Sequence, residues 1–201
     1  MTPYPPQPWR LRASAWISIW RVPVNLAKSL PGLDATPFQV LGSAVLCSGF
    51  VDYQAPGDLT YRECFLAVLT RAEGQWGVSL PLIWVDSQPA LRGGVELWAI
   101  PKQFATFSFH APHYRAELAK LCIAELHLQG TRRWSMPMRA KGIIVQYRER
   151  TAVRTPIRIS GKVRFARAQW SIAEDSPLAC LRNRRPWFSC AIGDADMHVG
   201  T

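Results

Sequence analysis

Along residues 154–164, charge and hydrophobicity occupy opposite parities. Arg154, Arg158, Lys162 and Arg164 stand at even positions, while Ile157, Ile159 and Val163 stand at odd ones. Side chains two apart share a face of an extended chain, so this segment reads as a strand with a packed face and a basic face. The same short apolar or alternating texture, punctuated by Gly, Pro and Asp, recurs along the sequence. "SAWISIWR" (14–21), "VLGSAVLCSGFV" (40–51), "YRECFLAVLTR" (61–71) and "WGVSLPLIWVD" (76–86) read as strands. So do "VELWAI", "KQFATFSFH", "MRAKGIIVQYRER" and "TPIRISGKVRFARAQW". "VPVNLAKSLPG" predicts a short helix stopped by Pro31 and Gly32. "HYRAELAKLCIAELHLQG" leans to helix in its first half, with a strand or two as the alternative. The expectation is a mainly β chain.

The 201 residues suffice for one domain (1–201) with a sizeable core, preceded by a Pro-rich arm over residues 1–9. Five scattered cysteines without CxxC spacing favour neither a zinc site nor a disulfide framework, and point to a reducing cytoplasm. No apolar run is long enough for a membrane-spanning helix. His110 and His113 flank a proline, and His127 and His198 stand apart, so no metal site is expected.

The net charge of +10 is unevenly spread, since residues 132–185 hold 14 basic and 3 acidic residues. Such a block attracts nucleic acid or other anions, or forms a subunit contact. Sheet-type nucleic-acid binders carry aromatics on the same face as their cations, whereas Phe165 falls on the apolar parity. Nucleic acid is therefore a distant alternative, and the basic face reads as a subunit interface or anion-facing surface.

One lysine stands out. In "GGVELWAIPKQFATF" (93–107), Trp98, Ile100 and Phe104 flank Lys102 at every second position, so an extended chain would group them on one face. By the same parity Arg21 groups with Ile17 and Ile19, and Glu63 with Tyr61, Phe65, Ala67 and Leu69. Charges among apolar neighbours pair in a buried cluster, line a pocket or escape to solvent at a strand end. Burial lowers the pKa of an amine, and a neutral amine attacks a carbonyl to form an imine.

These residues carry a resemblance. Tyr61-Arg62-Glu63, followed by "WVDSQPALRGGVELWAIPKQ", resembles the acetoacetate decarboxylase family, whose hallmark is a Pro-Lys pair after a Gly-Arg-Glu-like segment with an upstream strand glutamate. Arg21 after "ISIW" and "AQW" near Trp170 extend the similarity towards both ends. The resemblance implies a closed, antiparallel β-barrel-like domain with a few peripheral helices. It also implies a homo-oligomer, a small keto substrate and no cofactor. Lys102 would be the Schiff-base lysine and Glu63 the acid–base carboxylate. Arg21, Ser48, Tyr61, Trp98 and Gln103 would contact the substrate.

Three departures from the family pattern bear on activity. Gln103 stands where the decarboxylase has a second lysine, Val95 where it has the arginine of Gly-Arg-Glu, and Ser48 where it has another glutamate. The functional expectation is a lysine-imine lyase acting on a keto acid or keto metabolite by decarboxylation, aldol or dehydration chemistry. A non-catalytic barrel that binds an apolar or anionic ligand is the alternative.

Overall fold

The first strand sets the architecture. In β1 (Trp9–Pro23), Trp9, Leu11, Ala13 and Ala15 are buried on one parity, while Ser18, Trp20 and Val22 are buried on the other. The same strand thus faces two cores, one on each side. A computed structural model describes residues 3–72 and 75–201. After β1 come α1 (Val24–Lys28), β2 (Gln39–Val40), β3 (Ser43–Gln54), β4 (Tyr61–Ala72) and β5 (Gln75–Val85). Next are α2 (Gln88–Trp98), β6 (Lys102–Phe104), β7 (Thr106–His110), β8 (His113–Leu118) and β9 (Leu121–Thr131). The chain ends with β10 (Met136–Arg148), β11 (Thr151–Ser171), a 3-10 turn (Ala179–Leu181) and β12 (Phe188–Val199).

The order β10-β5-β4-β3-β1-β12-β11, with β11 pairing back to β10, closes a ring. Every junction in it is antiparallel except β10 against β5, which is parallel and meets at Ile144 and Val78. The closed antiparallel barrel with few helices, expected from the resemblance, is what the chain forms. Closure removes sheet edges and gives each strand an inside and an outside. Inside lie Leu11, Val51, Ile83, Ile144 and Val199. The 21-residue β11 runs beyond the ring, and its far end pairs with β9, followed by β8 and β7. That second layer covers the outside of β1, β3 and β4, burying Trp20, Leu46, Phe50, Leu66 and Ile123 between the layers.

Two expectations are corrected. "VELWAI" belongs to a helix, not a strand: Ser87 caps α2 by accepting the Ala90 N–H, Pro89 sits in the first turn, and Ala99 ends it in the left-handed region. A short apolar run fits either structure, and the start signals upstream decide. The 113–130 segment, with helix favoured in its first half over a strand or two, forms the alternative, the β8–β9 hairpin. Tyr114, Ala116, Ile123, Ala124 and Leu126 are buried in the second layer, which outweighs helix propensity. The short helix near Pro31 forms as α1. None of the helices is long and apolar enough to cross a membrane among the described residues.

The Pro-rich arm docks onto α2. Trp98 Nε1 donates to Gln7 Oε1 at 3.0 Å, Tyr4 Oη to Glu96 Oε2 at 2.6 Å, and Trp9 Nε1 to the Pro5 carbonyl at 2.8 Å. The basic side chains Arg154, Arg158, Lys162 and Arg164 are all exposed on β11, with Lys162 pairing to Asp194. Phe165, placed by parity on the packed side, is 45% exposed, two residues past the end of the β10–β11 pairing at Val163.

Candidate active site

Lys102 reaches its position by a change of chain direction. Pro101 cannot extend a helix, so after Ala99 the chain turns and β6 runs parallel to β5, with Lys102 opposite Ile83. Bonds from Ile100 N–H to the Gly94 carbonyl and from Lys102 N–H to the Ile100 carbonyl fix the turn. Arg148 on β10 donates to the carbonyls of Val95 and Glu96, the last turn of α2, at 3.0 and 2.7 Å. Asp86 accepts the Arg62 N–H at 2.7 Å and ties the start of β4 to the same junction.

The lysine side chain lies against Gly94. A Cβ there would meet Lys102 Cδ at 2.7 Å and Cε at 2.9 Å, closer than real Cβ atoms come. Gly93, next to it, is occupied in the same sense by the Trp9 ring, at 2.3 Å. The double glycine of "LRGGVEL" thus lets one helix turn pass between a lysine and a tryptophan. Gly94→Ala is expected to push Lys102 away from Glu63 and slow covalent capture of a carbonyl compound by tenfold or more, on the order of the penalty for ~1 Å misplacement. Stopped-flow trapping checks this, and an unchanged rate would show that the lysine chain has room to shift.

Lys102 Nζ donates to Glu63 Oε2 at 3.0 Å and to Tyr61 Oη at 3.3 Å, and lies 4.9 Å from the centre of the Tyr61 ring. The other oxygen of Glu63 accepts from Tyr53 Oη at 3.2 Å. Both charged side chains are nearly sealed, with 4% and 7% exposure for Lys102 and Glu63. Tyr53 and Tyr61 stack at 4.2 Å across the β3–β4 pair. Burial, and then nearby negative charge, pushes both phenols well above the usual tyrosine range, so they remain protonated donors.

This cluster opens into a cavity of about 330 Å³ inside the barrel. Trp9, Trp98 and Ile100 wall one side, and mostly apolar residues of β1, β3, β4, β5, β10, β11 and β12 wall the rest. Glu63 and Lys102 are the charged residues among the described lining. Cys47 also faces the cavity, but burial pushes its thiol up to about 12, leaving it protonated and weakly nucleophilic at neutral pH.

Of the residues singled out in the sequence, Lys102, Glu63, Tyr61 and Trp98 line this cavity together. Three do not. Arg21 is exposed, with its guanidinium 5.9 Å from the Trp187 ring, because β1 passes out of the cavity beyond Ile17. Ser48 has the wrong parity on β3, and its Oγ accepts the Trp20 indole N–H at 2.9 Å in the layer outside. Gln103 points to the opposite face of the strand from Lys102 and is exposed there. Phe104, expected beside Lys102, is 45% exposed where the three-residue β6 ends. Replacing Arg21 by alanine should change carbonyl capture less than twofold, and a loss above tenfold would place that arginine in the site.

Sequence reasoning missed Tyr53 and Gly94. Tyr53 was reachable: it shares parity with Val51, and a hairpin across "QAPGDLT" sets it opposite Tyr61. Gly94 carried no signal, since only the helix–strand turn brings it against the lysine.

A sequence profile of the acetoacetate decarboxylase family matches residues 1–189. The chain belongs to the acetoacetate decarboxylase family. No curated protein sequence matches it. Among solved structures, acetoacetate decarboxylase from Legionella pneumophila superposes with a TM-score of 0.72 at 15% identity, over 100% of this chain and 88% of that one. The enduracididine biosynthesis enzyme MppR complexed with pyruvate gives 0.62 at 14%, covering 100% and 89%. An acetoacetate decarboxylase-like enzyme from Sphingomonas wittichii RW1 gives 0.64 at 14%, covering 96% and 90%. At such identities the likeness concerns the fold.

Proposed function

We propose that this acetoacetate decarboxylase-family protein is a cofactor-independent lyase that binds its substrate as an imine on Lys102. The observation that carries this is the sealed Lys102–Glu63 pair at 3.0 Å, facing an apolar cavity. Proton transfer within the pair leaves a neutral amine beside a neutral acid at no change in net charge. The amine nitrogen adds to a carbonyl carbon and passes one of its protons to the oxygen, the carboxylic acid supplies the second, and the oxygen leaves as water. The resulting iminium cation faces the regenerated carboxylate. Electron withdrawal by the iminium then loosens a bond at the adjacent carbon, to hydrogen or carbon, and Glu63 is placed to move the proton. Tyr53 holds the carboxylate from its far side. The MppR structure with pyruvate, a keto acid, supports a carbonyl substrate for this fold.

Intact-mass measurement after borohydride reduction, over a broad panel of ketones and keto acids, tests the reading. A stable adduct on Lys102 is expected with at least one compound. No adduct across the panel would make the domain a binding barrel without turnover.

A further inference from the structure

The cavity narrows the substrate class, on the premise that Lys102 forms the imine proposed above. We propose that the compound taken by Lys102 is a medium-length aliphatic ketone that carries no carboxylate.

Charge balance is the first argument. The described lining holds one cation and one anion, Lys102 and Glu63, already paired. When a ketone condenses, one water leaves and the iminium keeps the single positive charge opposite Glu63, so the cavity stays neutral. A keto acid would add a second negative charge with no cation facing it, and a buried unpaired charge is strongly disfavoured. The arginine that might have met it, Arg21, lies outside the cavity.

Shape is the second. Glu63 and Ala67 both line the cavity, and they lie four residues apart on β4. At ~3.3 Å per residue that is about 13 Å along the strand. Around the Ala67 level stand Cys47, opposite it on β3, and Val78 of β5. The space beyond the lysine is an apolar channel. Its volume of about 330 Å³ corresponds to on the order of ten heavy atoms, taking ~30 Å³ for each water-sized one. A keto acid the size of pyruvate would leave most of that space unfilled. Each methylene placed in it strengthens binding by up to about fourfold.

The test compares methyl hexyl ketone with the α-keto acid bearing the same hexyl chain, and with acetone, which lacks it. The full chain is trapped with borohydride, and the adduct on Lys102 is read by intact mass. Condensation followed by hydride addition adds the ketone's mass less one oxygen. Half-maximal trapping is expected at a concentration at least tenfold lower for methyl hexyl ketone than for either comparison compound. Ala67→Phe, which fills the wall far from Lys102, is expected to bring the ratio of methyl hexyl ketone to acetone close to one. If that variant does not fold, the ratios for the parent still decide. Trapping of the hexyl α-keto acid at the same or lower concentration than methyl hexyl ketone overturns this assignment and leaves the imine reading standing. No adduct from any of these compounds overturns this assignment, and the broad panel above then decides the imine reading.

Discussion

Lys102→Ala is expected to abolish the reducible adduct and to lower turnover by about 10⁴-fold or more, the scale on which removal of a covalent nucleophile acts. No other described side chain in the cavity replaces it. Cys47 is held protonated by burial, and Arg21 and Gln103 lie outside. The variant keeps its fold, because Glu63 retains the Tyr53 phenol as a hydrogen-bond donor. Leaving one partner of a buried pair still costs stability, at most about 3–5 kcal/mol. Lys102→Met, which fills the same space, should recover part of that loss without recovering activity. Mass spectra of trapped protein beside thermal melting separate the two effects. Full activity in a folded Lys102→Ala protein would end the imine mechanism.

Glu63→Gln is expected to lower turnover by about 10²–10⁴-fold while weakening ligand binding less than tenfold, as fits a group that moves protons. The amide has nearly the shape of the carboxylate. Its oxygen can still accept from Tyr53 Oη, so the loss isolates proton transfer from packing. Three steps need that proton: freeing the amine, expelling water, and moving hydrogen at the adjacent carbon. Exchange of the ketone's α-hydrogens for deuterium in heavy water reads the last step separately, and should fall in parallel with turnover. An unchanged catalytic rate with only weaker binding would make Glu63 a counter-charge and nothing more.

How far the site was legible in the sequence depends on which physical rule each residue obeys. Strand parity placed Tyr61, Glu63, Phe65, Ala67 and Leu69 on one face, and all but Leu69, which follows the register shift between Leu66 and Val68, line the cavity. Parity grouped Trp98 with Lys102 for a reason that does not hold: Trp98 ends a helix, and it reaches the cavity from there. For Arg21 the parity was right and the height was wrong. It shares a face with Ile17, but the strand has left the cavity by the time it reaches residue 21. Ser48 came from alignment with a family pattern, and β3 turns Cys47, its neighbour, inward instead.

The strand-rich character, the short helix before Pro31 and the placing of a lysine and a glutamate among apolar neighbours could all be read from the chain alone. These follow from local rules: a period of two along extended chain, and the backbone limits of proline and glycine. That Lys102 and Glu63 meet, that Tyr53 completes their contacts and that Gly94 makes room emerge with the assembled barrel. Those facts depend on which strands pair, in what register, and on a ring that closes through β10 and β11. Pairing between distant segments is set by the burial of the whole chain at once, and no local period carries it.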